Sequence, residues 1–231
     1  RYINLSSLKE KLNNSTEIDK PHSIFKNQAI DSHLIVNNDS IYVNKNLPKG
    51  ISINIIELEK VDYLDSRLKN KIGKIAKIDD YFVSENTKKF NQLIVINITK
   101  EAALKAVLNL DIEVSSNIDF KPRFLIYSEK KSSSSIQITC QNNQAIINGV
   151  FEFYLEDKSS MNLVGLNNSK DSLEILNYWF EVNESASLKA TFISLGEQQT
   201  LKNDIRVDLI DKNASADIGG LYIPKPNSVV D

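Results

Sequence analysis

"DLIDKNASADIGGLYI" occupies residues 208–223, and its shape occurs three more times upstream. It is a strand-like run, a polar elbow closing on Ala214–Ser215, and a second strand-like run. Four segments align: "YSEKKSSSSIQI" from Tyr127, "YLEDKSSMNLVG" from Tyr154, "EVNESASLKATF" from Glu181 and "LIDKNASADIGG" from Leu209. Each carries an acidic or amide residue (Glu129, Glu156, Asn183, Asp211), then two small residues (Ser132–Ser133, Ser159–Ser160, Ala186–Ser187, Ala214–Ser215). The acidic-or-amide positions lie 27, 27 and 28 residues apart. A fixed period between about 20 and 50 residues marks stacked units that bury their apolar faces against one another.

The content of the repeat selects the kind of unit. Before each elbow lies a β-rich run: 123–127, 150–155, 178–182 and 205–210; after it lies another: 135–140, 162–166, 188–193 and 217–223. No unit sustains a 3.6-residue apolar pattern, so each reads as strand–turn–strand–turn. After the elbow, one face reads Ser134, Ile136, Ile138, Cys140, then Met161, Leu163, Gly165, then Leu188, Ala190, Phe192, then Ala216, Ile218, Gly220, Tyr222. That face is apolar or small and follows the strand period of 2. Before the elbow, Phe153 and Leu155 match Phe180 and Val182, then Val207 and Leu209, which places the extra residue of the fourth unit in its elbow. Like strands stacked roughly 4.8 Å apart pile like side chains into ladders. The expected fold is mainly β: a right-handed parallel β-helix. A β-sandwich also has short strands at regular spacing. The segment "LIVINITKEAALKAVLNLDIEV" (93–114) reads as the first coil.

Residues 1–90 read differently. A capping box, Ser7 with Glu10, opens a short amphipathic helix over 7–12. "HLIVNNDSIYV" (33–43) is two short strands around an Asn-Asn-Asp turn, and "LPKG" (47–50) is a second turn. Val61, Leu64, Leu68, Ile72 and Ile75 follow helical spacing, and 81–90 reads as a helix leading into the first coil. The domain reading is a small N-terminal α+β cap over 1–90 and a β-helix core over 91–231, cut short at its C-terminal end. The cap is expected to cover an end whose open strand edges would otherwise pair with other chains.

Composition narrows the partners. With 28 Lys plus Arg against 30 Asp plus Glu in 231 residues, the net charge is −2, which favours neither nucleic acid nor an anionic membrane. No apolar run is long enough to span a bilayer. The opening "RYINLSSLKEKL" lacks an apolar core and an initiator Met, so we expect no signal peptide and a fragment or processed form. One cysteine, Cys140, fits a reducing compartment and a cytoplasmic location. Sequons at Asn14, Asn97, Asn183 and Asn213 are expected by chance in an Asn-rich chain.

Chemistry-bearing residues are sparse. The two histidines, His22 and His33, and Cys140 lie far apart in sequence, so no metal-ligand cluster is expected. Cys140 falls on the inward column, where a thiol is buried and inert. No Walker A, G-x-G-x-x-G or G-x-S-x-G motif occurs. The Gly219–Gly220 pair reads as a place of close packing. Asp211 and Asp217 flank an elbow, where Asp is ordinary turn chemistry. With Asp204, Asp208 and Arg206 they are the residues a carbohydrate-active lyase would need. Trp179 lies opposite the inward column and is expected to pack against the cap. We assign no catalytic, cofactor-binding or metal residue.

Two stretches resemble a known family. "RYINLSSL" is similar to a W-[RK]-Y-T-x-L segment of SufD proteins, and "DIRVDLIDKNASADIGGLYIPKPNSVVD" (204–231) resembles the SufB/SufD signature through Arg206, Ala214, Gly220, Leu221, Tyr222 and Asp231. The intervening coils are similar too, and the cap resembles SufD more than SufB. The resemblance implies a non-catalytic scaffold subunit of an iron–sulfur cluster assembly complex, SufBCD. Its implied partners are SufB and the ABC-type ATPase SufC. It implies that ATP binds the partner ATPase and that the complex handles the cluster transiently; this chain alone binds no cofactor. It places later coils, a histidine credited with cluster assembly and the segment that grips SufC beyond Asp231. A plastid stroma is the alternative compartment. The other functional classes are a carbohydrate-active β-helix enzyme and a plain structural solenoid.

Overall fold

The computed structural model describes residues 33–38, 40–57, 60, 65–90, 92–100, 107–115 and 119–231. Its strands are β1 (Leu34–Asn37), β2 (Ile41–Val43), β3 (Ile51–Glu57), β4 (Gln92–Ile98), β5 (Leu108–Glu113), β6 (Asp119–Phe120), β7 (Arg123–Ser128), β8 (Ser133–Cys140), β9 (Ile146–Leu155), β10 (Ser160–Asn167), β11 (Leu173–Val182), β12 (Ser187–Ser194), β13 (Thr200–Leu209), β14 (Ser215–Tyr222) and β15 (Val229–Val230). Its helices are α1 (Ser66–Lys69) and α2 (Tyr81–Lys89). Strands that follow an elbow form sheet A, ordered β14-β12-β10-β8-β5-β1-β2. Strands that precede one form sheet B, ordered β15-β13-β11-β9-β7-β4-β3. The result is a parallel β-solenoid of about five turns.

The repeat has a local cause. Each elbow is a four-residue turn in which the first small residue donates its N–H to the acidic-or-amide residue's carbonyl: Ser132 to Glu129, Ser159 to Glu156, Ala186 to Asn183, Ala214 to Asp211. The residue before the small pair has positive φ: Lys131 61°, Lys158 59°, Ser185 55°, Asn213 59°. That left-handed residue turns the chain from sheet B into sheet A. Ser132, Ser159 and Ala186 are buried, so a larger side chain has no room there. The Glu156 carboxylate also accepts the Lys130 N–H at 2.7 Å, and Glu129 the Lys100 N–H at 2.8 Å, tying these two elbows to the turns before them.

The register matches the expected columns. Leu163 lies opposite Ile136 on one side and Ala190 on the other, and Ala190 opposite Ile218. Phe153, Phe180 and Val207 are likewise aligned. The offset is 27 residues at Val182↔Leu209 and 28 at Ser187↔Ser215, which puts the additional residue in the fourth elbow. Stacking follows directly. Phe124, Phe151 and Tyr178 form a ladder with centroids 4.8 Å apart, and Phe153 stacks on Phe180 at 4.5 Å. Each such contact adds about 0.5–1.5 kcal/mol beyond burial. The column Ile138–Gly165–Phe192 alternates size: a Cβ on Gly165 would sit 2.7 Å from Phe192 Cδ1.

Three extents differ from the sequence reading. First, β9, β11 and β13 each run ten residues, longer than the runs recognised before the elbows. Their first halves lack alternation because both faces of sheet B are buried in β9 and β11, and two-sided burial erases the period-2 signal. Second, the helical spacing over 61–75 gives, among the described residues 65–75, one turn of helix, Ser66–Lys69, followed by turns through 70–76. Glu152 takes the Gly73 N–H at 3.2 Å and the Ala76 N–H at 3.0 Å, and Gly73 sits at φ 65°, so the helix cannot continue there. Third, the front strands add to both sheets: β1 runs parallel to β5, β2 and β3 pair antiparallel with β1 and β4, and Leu34 and Val36 join the main core. The expected hairpin at 33–43 and helix at 81–90 are present. The expected helix over 7–12 lies outside the described residues.

Segment 65–90 lies on the outer face of sheet B. Leu68, Ile75, Ala76 and Val83 pack with Leu93, Val95, Leu125, Val150 and Trp179. Trp179 therefore packs against this segment, as its outward position predicts.

Candidate functional site

The residues singled out in the sequence do not assemble into a catalytic constellation. Cys140 is buried inside the solenoid, where desolvation and then the nearby Glu174 carboxylate push its thiol well up. His33 accepts the Asn109 N–H at Nδ1, 3.2 Å away, and helps set the β1–β5 junction. His22 lies outside the described residues. Among the described residues, no three His, Cys, Asp or Glu side chains are grouped to hold a metal ion. The four aspartates diverge. Asp204 and Asp208 belong to β13 in sheet B, Asp217 to β14 in sheet A, and Asp211 to the elbow between them. Asp211 accepts the Lys212 N–H at 2.7 Å, which is turn chemistry.

Arg206 is held from three directions. Its guanidinium lies 4.4 Å over the Trp179 ring. It donates to Asp204 through Nε and Nη2, at 3.2 and 3.0 Å, and to Asp80 through Nη2 at 3.0 Å. Asp80 is also the N-cap of α2, accepting the Phe82 and Val83 N–H groups. The last long strand of sheet B is thus joined to a helix 126 residues earlier in the chain.

The remaining resemblance-bearing residues gather at the C-terminal end of the solenoid. Ala216, Ile218, Gly220 and Tyr222 continue the inward columns of β12. Yet Ile218 is 39% and Tyr222 42% exposed, whereas Ala190 and Phe192, one coil earlier, are 1% and 2%. On the outer face Leu221 is 51% exposed. Gly220 makes room for Tyr222, whose Cε2 would lie 3.0 Å from an added Cβ. Asp231 closes the short β13–β15 ladder, donating its N–H to Leu201 and accepting that of Asn203, each at 2.9 Å.

Two buried polar groups escaped the sequence reading. Arg123 and Glu152 form an ion pair of 2.8 Å on the outer face of sheet B, 1% and 0% exposed. Glu174 lies inside the solenoid, accepting from Asn142 Nδ2 at 2.8 Å and from Asn167 Nδ2. Burial raises the Glu174 pKa above the ordinary carboxylate value, and the Ser169, Asn142 and Asn167 hydrogen bonds offset only part of that. A group whose folded pKa is raised contributes stability fully below its unfolded pKa and loses it as pH climbs through the folded value. Between about pH 5 and about pH 8, wild type is therefore expected to lose stability relative to a Glu174→Gln variant. Urea midpoints at both pH values check this, and parallel profiles for the two proteins would contradict it.

No helix among the described residues is long and apolar enough to cross a membrane. In comparisons with known proteins, residues 112–231 match the family model described as "SUF system FeS cluster assembly, SufBD core domain". No curated protein matches the chain. The matched region begins within β5 and includes every full coil after the first.

Proposed function

Because this chain belongs to the SufB/SufD family, we propose that it is a non-catalytic scaffold subunit of a SufBCD-type iron–sulfur cluster assembly complex. Residues 91–231 form its solenoid core and 1–90 its cap. It is the SufD-like member, pairing with a SufB-like protein and a SufC-like ATPase in the cytoplasm or a plastid stroma. The cluster is cargo of the whole complex, and ATP is bound by the ATPase partner.

The observation that carries this reading is the SufBD core match over residues 112–231, which falls on the stacked coils of the solenoid. The lyase reading finds no support in the acids, which lie on two different sheets and an elbow.

The test is co-purification. The tagged full-length protein is expected to retain SufB-like and SufC-like proteins through a salt wash and size exclusion. Recovery of neither from cells that express both overturns the proposal.

A further inference from the structure

We propose that segment Asp65–Phe90 is a lid, which opens from sheet B as one unit while the solenoid beneath stays folded, and that Arg206 is its latch. The backbone pattern comes first. Among the described residues, backbone–backbone hydrogen bonds of this segment close within it, from Lys69 N–H to Asp65 at one end to Phe90 N–H to Asn86 at the other. No strand ladder joins it to sheet B, whereas β9 and β11 are registered over ten residue pairs. Side chains do the joining. Glu152 accepts the Gly73 and Ala76 N–H groups, and Asn86 Nδ2 donates to the Pro122 and Asn148 carbonyls at 3.1 and 2.7 Å. Asn148 Nδ2 donates to the Phe82 carbonyl at 2.8 Å.

Opening leaves no fully buried ion alone: of the ion pairs that cross to the solenoid, Lys71–Glu181 at 3.3 Å and Arg67–Glu129 at 3.5 Å are already partly exposed and pass to water. Arg123 and Glu152 both belong to sheet B, on β7 and β9, so their pair stays whole when the segment lifts. Arg206 keeps Asp204, a neighbour on its own strand, when it releases Asp80. Asp80 keeps its two N-cap hydrogen bonds, so α2 can move without fraying at its start. A buried charge left alone is what normally makes such an opening prohibitive, and this arrangement avoids it.

The closed form also carries unmet polar atoms under the lid. Asn148 Oδ1, Asn177 Oδ1 and Trp179 Nε1 are buried with no hydrogen-bond partner. Asn177 and Trp179 share one face of β11, and Asn177 lies opposite Val150, two residues along β9 from Asn148. Opening hands all three to water, which favours the open form relative to a fully satisfied interface. The apolar contacts of Leu68, Ile75, Ala76 and Val83 hold the lid shut, and Arg206 closes its rim, where the side chain is 41% exposed. Because Arg206 is on β13, whatever displaces that strand also strains the latch.

Native-state hydrogen exchange read by mass spectrometry tests the proposal. Amides of 73–90 are expected to exchange at least about tenfold faster than those of β9 and β11. Arg206→Ala is expected to speed the lid by a further about twofold to fivefold and leave β9 and β11 unchanged. Asp80→Asn retains a capping oxygen and should reproduce that pattern. In the Asp80→Asn variant the chain's one tryptophan, Trp179, should become more accessible to acrylamide. Equal protection of 73–90 and β11 overturns the lid. A variant that leaves lid exchange unchanged, or speeds lid and solenoid alike, overturns the latch.

Discussion

Replacing Arg123 by Met is expected to destabilise the folded chain by about 3–5 kcal/mol, the largest effect of any single polar substitution considered. Both members of the pair are essentially inaccessible to water. Arg123 approaches Glu152 Oε2 twice, through Nε at 3.1 Å and Nη2 at 2.8 Å, and its Nη1 donates to Asn86 Oδ1 and Thr87 Oγ1 at 3.3 and 3.0 Å. Removing the guanidinium leaves a buried carboxylate with only the two backbone N–H groups of Gly73 and Ala76, and leaves two side-chain acceptors on α2 unmet. The pair need not be stabilising in itself, since two desolvated ions often only match an apolar pair of equal volume. The double variant Arg123→Met, Glu152→Leu is therefore expected to recover more than half of the loss. Urea unfolding of the single and double variants measures this. A single variant within about 1 kcal/mol of wild type would contradict the assignment of a buried pair.

Truncating Phe180 to Ala is expected to cost about 3–5 kcal/mol. Phe180 is 1% exposed and stacks on Phe153 at 4.5 Å and an interplanar angle of 17°. The removed ring leaves a hole between rungs that backbone hydrogen bonds hold apart on both sides, through the β9–β11 and β11–β13 registers. Strands fixed at roughly 4.8 Å cannot close in to fill it, so the site relaxes less than a helix-packed core would. Phe180→Leu, which keeps much of the volume, should cost clearly less. Thermal melts of the two variants discriminate. Equal shifts would mean that the cost lies in the lost ring stack and not in the hole, contradicting the cavity argument.

The parts of the fold legible in the sequence were those that every coil repeats. The elbow recurs because one buried position admits only Ser or Ala, and the inward columns recur because like side chains stack on like. Both leave a mark at a fixed interval, so Leu163, Ala190 and Ile218 could be placed opposite one another. What acts once leaves no such mark. The first halves of β9 and β11 were hidden because the covering segment 65–90 buries their second face and removes the alternation. Glu152 and Glu174 were not singled out, because a lone glutamate carries no sign of the N–H groups or amides that will meet it. Arg206 was legible as part of a strand, but its partner Asp80, 126 residues away, was not.

The whole account rests on consecutive coils lying in register, and spin labels test that most directly. Asn162 and Lys189 face outward on β10 and β12 and are direct partners across sheet A. Cysteines substituted at both positions can be labelled while native Cys140, 2% exposed, is spared. The doubly labelled chain is expected to show strong dipolar broadening in its continuous-wave spectrum, absent from either single. A double-label spectrum equal to the sum of the two singles would contradict the stacked register.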